Sequence, residues 1–458
     1  MLSITAGWIL AVVTIAVVWL ERVIRKGPAA ALGPAIVLSF LFPVWLKFDI
    51  AGMPFGVSTS VACIAMLGYV VHPKGKILSP LTLLDVCVAM MVTVHVLADS
   101  MASGFEAVLP IRAYGEWALP YVAGRFAIQD RSDVRAIAKW VPVVLLVLGF
   151  FGCIEAVTKI NPFEVIFGER PLEGFPRTAQ RLGLKRAYGT VLHPVFYGML
   201  IFGLMPWLTV FCTRDSSVKT RWTVVVAAIV AAAGITATVS RSPWLAMIAA
   251  TAVLLAVLYR WLRWPVGLAA ISAVASVVLF PNQTADVLSA WTGGGDRRSI
   301  VEIDGEAVEY SSSRNRLLIL PAYGEALRYA RMTGYGTDAT STFPPRIPYL
   351  QSEKLSVERL KNVDNAYVLI ALRFGWLGMV ALSLLLLTGA GTAFRLFRDR
   401  PDQPLTAALG SMLVVLIPTL LMTWMSYDFG FMVLWTLGIL AGLSSAQIRS
   451  RLERRSVT

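Results

Sequence analysis

Asp364 and Asn365 stand side by side at the head of the stretch DNAYVLIALRFGWLG, which is otherwise apolar up to Gly378 except for Arg373. A carboxylate at the mouth of an apolar helix can take a proton from an attacking hydroxyl, and an amide beside it can orient the molecule that carries that hydroxyl. The same two residue types are favoured at a helix N-cap, where an acid also meets the positive end of the helix. For Asp364 both readings stand, base and cap. Gly375 and Gly378 read as close-packing positions. His193, in RAYGTVLHPVFYG, heads another apolar run beside Arg186. A neutral imidazole there can contact a sugar or act as the base, while Pro194 after it suits a plain helix start. His95 and Asp99 lie one helical turn apart and read as a buried pair or as cavity lining.

Arginine supplies the second kind of chemistry. Arg186, Arg241, Arg314 and Arg316 are the positions singled out for it, with Arg177, Arg181, Lys185, Arg297 and Arg298 nearby. Guanidinium binds phosphate through paired hydrogen bonds and does not lose its proton, which suits it to holding a diphosphate. Pairing with acids such as Glu169, Glu173, Asp296 or Glu302 is the structural alternative. It is weakest for Arg241, which sits in TVSRSPW between two apolar runs, where an unpaired charge is expensive.

The elements that must position these residues are membrane helices. Of the 458 residues 57% are hydrophobic and 15% charged, a balance that excludes an ordinary soluble domain. Apolar stretches long enough to cross about 30 Å of hydrocarbon fall near 2–20, 30–46, 57–71, 79–98, 109–128, 137–158, 191–212, 222–239, 243–258, 264–280, 366–390, 405–425 and 429–446, so about thirteen transmembrane helices are expected. The fold class is an all-α integral membrane protein, a single polytopic domain over 1–458. The connections after alternate helices carry Arg22, Arg25, Lys26, Lys74, Lys76, Arg131, Arg135, Lys139, Arg214, Lys219, Arg221, Arg260, Arg263, Arg395, Arg398 and Arg400, and the C-terminus adds Arg449, Arg451, Arg454 and Arg455. All share one side. The positive-inside rule makes that side cytoplasmic, the C-terminus with it, and the N-terminus periplasmic. It also accounts for much of the net charge of +13, so no nucleic acid partner is expected. The first apolar run has its basic residues after it and reads as a retained helix.

Two polar segments break the pattern on the external side, 159–190 and 281–363. The second, a periplasmic loop of about eighty residues, is long enough to imply function or structure of its own. It is expected to hold short amphipathic helices, one capped by Ser313 with Leu317, Leu320 and Leu327 as its apolar stripe. Cys63, Cys87, Cys153 and Cys212 lie in or beside apolar runs without metal-ligand spacing and read as packing residues.

Taken together, TVSRSPWLAM, the long external loop with TGYGTD near its end, and DNAYVLIALRFGWLG resemble the bacterial O-antigen ligase and O-antigen or exopolysaccharide polymerase superfamily. The resemblance is strongest over about 181–380. In the ligases a histidine usually precedes the asparagine; here Asp364 takes that position, with Gly375 at the spacing found in many polymerases. The resemblance implies a GT-C-like glycosyltransferase of the bacterial inner membrane that needs neither metal nor other cofactor. Its donor would be a glycan on undecaprenyl diphosphate and its acceptor a second glycan, with membrane lipids around it and room for a chain-length regulator as partner. Asp364, Asn365 and His193 would be catalytic, and Arg186, Arg241, Arg314 and Arg316 would bind the donor diphosphate. Polymerase is preferred to ligase because of Asp364, and a carrier of lipid-linked oligosaccharide is the reading from outside the enzyme class.

Overall fold

The computed structural model describes residues 28–50, 53–71, 80–128, 131–170, 180–212, 217–290, 299–303, 306–310, 315–342, 345–348, 350, 363–401 and 403–455, with positions 7, 10, 13, 14 and 17 before them. In hydrocarbon every backbone N–H and C=O needs an internal partner, and apolar runs of this length meet that demand as helices. The chain forms α1 (Pro28–Ser39), α2 (Val57–Val71), α3 (Leu83–Ser103), α4 (Leu119–Ala127), α5 (Val141–Thr158), α6 (Pro194–Leu204), α7 (Val218–Ala237), α8 (Arg241–Leu258), α9 (Arg263–Leu279), α10 (Asn315–Tyr329), α11 (Ala366–Asp399), α12 (Pro404–Thr419) and α13 (Tyr427–Arg455). Shorter helices and antiparallel hairpins lie between them, among these a hairpin of Lys47–Ile50 with Met53–Gly56.

Among the described residues, 8 helices are long and apolar enough to cross a membrane. The protein is a multi-pass, all-α membrane protein. The other expected spans are shorter or interrupted. The run at 30–46 stops being helical at Ser39, before Pro43, and α2 has 15 residues. The run at 109–128 is divided by a π-helical turn at Tyr114–Ala118 between Pro110 and Pro120. The run at 2–20 lies almost wholly outside the described residues.

Small residues let helices approach closely. Gly149 on α5 faces Gly234 on α7, and Gly124 on α4 faces Gly438 on α13; a Cβ on any of them would run into the opposing helix. Toward the basic side, Asp85 closes the start of α3 by accepting from the Thr82 amide and hydroxyl, and it also takes Arg125 Nε and the Tyr121 hydroxyl.

The long polar segment has structure of its own. Ser299–Ile303 pairs with Glu306–Tyr310 as an antiparallel hairpin, and α10 packs on the first turns of α11 through Ile319, Tyr323 and Ala326 against Val363, Val368, Leu369 and Leu372. This corrects the expected leucine stripe: Leu320 is 55% exposed, Leu327 is only partly buried, and Ile319 with Tyr323 and Ala326 forms the buried i, i+4, i+7 face. The side chain of Leu317 and the expected cap Ser313 lie outside the described residues. Beyond α10 the chain returns to α11 at Gly375, whose φ of 62° and ψ of −157° divide that helix.

Candidate active site

Four helix starts meet on one face. The first turns of α6 and α8 touch where Pro243 lies against Gly198. Phe196 of α6 packs edge-on to Trp424, in the turn before α13, with ring centroids 5.0 Å apart. That same turn receives the start of α11, because the Ala366 amide donates to Leu420 O and Thr423 O at 2.9 and 3.1 Å. The unpaired N–H groups and dipoles of helix N-termini make such a face favourable for negative charge.

Arg241 is the first residue of α8 and is 7% exposed. The residue two places before it, Val239, has φ of +44°, a conformation that a β-branched side chain adopts only when its surroundings impose it. Those surroundings are visible. Thr238, Val239, Ser240 and Ser242 are all buried, and Ser240 Oγ donates back to Thr238 O at 3.0 Å. Arg186 arrives from the other expected segment and donates from Nη2 to Ser240 Oγ at 2.8 Å and from Nε to Thr238 O at 3.4 Å. The backbone locks in beside it, Ala187 N to Ala237 O at 3.1 Å. The structure thus brings Arg186 and Arg241 to one strained junction, although they are far apart in sequence.

The loop that carries Arg186 is anchored by Glu155, which sequence reasoning missed. Its side chain is 0% exposed at the end of α5, and Oε2 accepts the amides of Tyr188 and Gly189 at 3.2 and 2.9 Å. Lys185 Nζ stands 3.3 Å from Oε1. The available signal was that Glu155 is the one charged residue in the α5 sequence. Arg170 was missed as well. It is buried, donates to Leu192 O at 2.7 Å, and lies 4.1 Å over the Tyr188 ring, so it braces the residue before His193. Burial, with Glu164 adding to it, pushes the Tyr188 hydroxyl above its usual pKa, so this ring remains a neutral platform for the cation.

His193 and Asn365 are both helix caps. His193 Nδ1 accepts the Val195 amide at 3.3 Å, so in the neutral ring the proton sits on Nε2. Asn365 Oδ1 accepts the amides of Tyr367 and Val368 at 3.0 and 3.1 Å, leaving the side-chain NH2 as its free hand. The cap of α11 is therefore Asn365 and not Asp364, which corrects one of the two readings of that acid. Asp364 is half-buried immediately outside the cap, two residues before Ala366, whose amide bonds to the turn that holds Trp424.

His95 and Asp99 form the buried pair, Nε2 to Oδ2 at 3.2 Å, and both also hold the long polar segment. The Thr337 amide donates to Asp99 Oδ1 at 2.7 Å, and Thr337 Oγ1 is 3.2 Å from His95 Nε2. Arg314, Arg177, Arg297 and Arg298 lie outside the described residues, as does the side chain of Arg316. Among the described residues no cluster of His, Cys, Asp or Glu could hold a metal ion.

Residues 226–383 match the family model Wzy_C, described as O-antigen ligase. The match runs from the middle of α7 to the middle of α11 and includes Arg241, the TGYGTD stretch and Asp364–Gly378, while Arg186 and His193 fall before it. No curated protein matches the chain. Over residues 226–383 the chain is thus similar to the O-antigen ligase family, and this match supports the resemblance to the ligase and polymerase superfamily read from its sequence.

Proposed function

We propose that the protein is a glycosyltransferase of the bacterial inner membrane that joins oligosaccharide repeat units carried on undecaprenyl diphosphate. The observation that supports this reading is the bond from Arg186 to Ser240, which brings that arginine to the start of the helix that Arg241 opens. An acceptor hydroxyl attacks the anomeric carbon of the donor and passes its proton to the Asp364 carboxylate. The bond from that carbon to the diphosphate oxygen breaks, and the departing lipid diphosphate gathers negative charge. Arg186, Arg241 and the N-terminal amides of α8 stabilise that charge where it develops. Asn365 donates from its NH2 to a sugar oxygen, and His193 contacts the sugar beside it, with Asp364 as the base. Arg314 and Arg316 remain further candidates for the diphosphate.

Asp364 in place of a histidine supports a polymerase, whose acceptor is another lipid-linked repeat unit. The alternative is a ligase that transfers glycan to a lipid A core. A carrier finds little support, because Asp85, the exception among the candidate ligands in lying closer to the basic side, is occupied by Thr82, Tyr121 and Arg125. The remaining expected spans would complete a GT-C-like membrane domain of about thirteen helices. Arg241→Lys tests the diphosphate assignment, since it keeps the charge and loses the planar fork. Turnover should fall about 10-fold or more at equal expression, in line with the loss of charge-assisted, paired hydrogen bonds to the leaving group. Full activity of Arg241→Ala would remove the assignment.

A further inference from the structure

The half of α11 that carries Asp364 and Asn365 is not held in place by the rest of its own helix. At Gly375 the backbone leaves helical geometry, and the amides of Trp376 and Leu377 donate across to Arg331 O and Met332 O, each at 3.1 Å. In return the Tyr335 amide donates to Leu372 O at 2.8 Å. The segment 331–335 is thus spliced through the break. Gly334, with φ of +72°, lies against Gly375 so closely that a Cβ on it would come within 2.6 Å of the Arg373 carbonyl and the Gly375 nitrogen.

The splice is itself seated on α3. Thr337, two residues beyond Tyr335, bonds to Asp99 and His95 as described. His95 is fixed from its other side by Trp117 Nε1, which donates to Nδ1 at 3.1 Å, and its ring lies 4.6 Å from that of Phe374, the residue before the break. Arg373 reaches back from the half-helix to Thr340 Oγ1 at 2.8 Å. One buried cluster therefore grips both the splice and the end of the half-helix.

We infer that His95, Asp99 and Thr337 are positioning residues for the transfer reaction: through the splice at Gly375 they set the angle of the half-helix that carries Asp364 and Asn365. This rests on the proposed roles of those two residues. The lever from Gly375 to Asn365 is about 15 Å at helical rise. A tilt of about 10° at the joint would move the cap by about 2–3 Å, more than the misplacement of about 1 Å that can cost on the order of 10²-fold in rate.

The test compares Thr337→Val, which removes the hydroxyl at nearly constant shape, with Thr337→Ser, which restores it. Full-length protein in lipid nanodiscs is assayed for turnover of lipid-linked repeat units and for amide hydrogen exchange. The Val variant should lose about 10-fold or more in kcat with little change in donor KM, because the arginines sit on other elements. Exchange should rise at 366–377 and stay unchanged at 378–399, and Ser should recover both properties. Wild-type kcat in Thr337→Val overturns the positioning role, as does loosening spread along all of α11 that Ser fails to reverse. If Asp364→Asn turns over at the wild-type rate, the proposed chemistry fails instead, and the exchange pattern still reports on the joint separately.

Discussion

Replacing Glu155 by leucine removes the anchor of the Arg186 loop while keeping the apolar bulk of the site. In the wild type one buried oxygen accepts the amides of both Tyr188 and Gly189, and the other faces Lys185 at 3.3 Å. Leucine leaves two buried N–H donors without that acceptor, at about 1–3 kcal/mol each, and strips a half-buried ammonium of its counter-charge. A total of about 3–5 kcal/mol follows, the range seen when one partner of a buried ion pair is removed. Glu155→Gln separates the two contributions, because its carbonyl can still accept both amides while the charge opposite Lys185 is gone; about 1–2 kcal/mol is expected. The assay is thermal unfolding in one detergent, with amide exchange at Tyr188 and Gly189 to localise the change. The order wild type, Gln, Leu is expected, with exchange rising in the loop before the rest of α5. A leucine variant as stable as the wild type, with the two amides still protected, would refute the anchor.

Three further outcomes are expected. Asp364→Asn should fold and insert normally, because Asn365 makes the cap, yet lose about 10²-fold in turnover if Asp364 takes the proton. Gly375→Ala should open the splice: its backbone conformation is close to glycine-only, at about 1–3 kcal/mol, and the new Cβ would run into the Met332 carbonyl. Limited proteolysis of the long polar segment should show it, and unchanged resistance would argue against the joint. Leu320→Cys, at an exposed site on α10, should react with an impermeant maleimide in intact spheroplasts; reaction only after lysis would reverse the proposed orientation.

What the sequence revealed, and what it hid, follows from the range of each interaction. Long apolar runs, the polar gap before α11 and the buried Ser240–Arg241 junction are local patterns and were legible. The cap of α11 was not, since Asp and Asn are nearly equal N-cap residues and only the geometry chose Asn365. The break at Gly375 was hidden because the apolar run continues through it without interruption. Glu155 works through the amides of Tyr188 and Gly189, which leave no trace in side-chain identity. The bond between His95 and Thr337 joins residues 242 positions apart. The stripe of α10 was misassigned because two sets of apolar residues share the helical period, and the buried one includes Tyr323 and Ala326 in place of leucines.

The central claim is that a glycosidic bond forms as a lipid diphosphate leaves. Purified protein in nanodiscs, supplied with undecaprenyl-diphosphate-linked repeat units, can be followed for glycan length and released lipid diphosphate in the same sample. A ladder of lengthening glycans should accumulate, with one lipid diphosphate freed for each bond made. Movement of the donor across the bilayer with no ladder and no release would contradict the account.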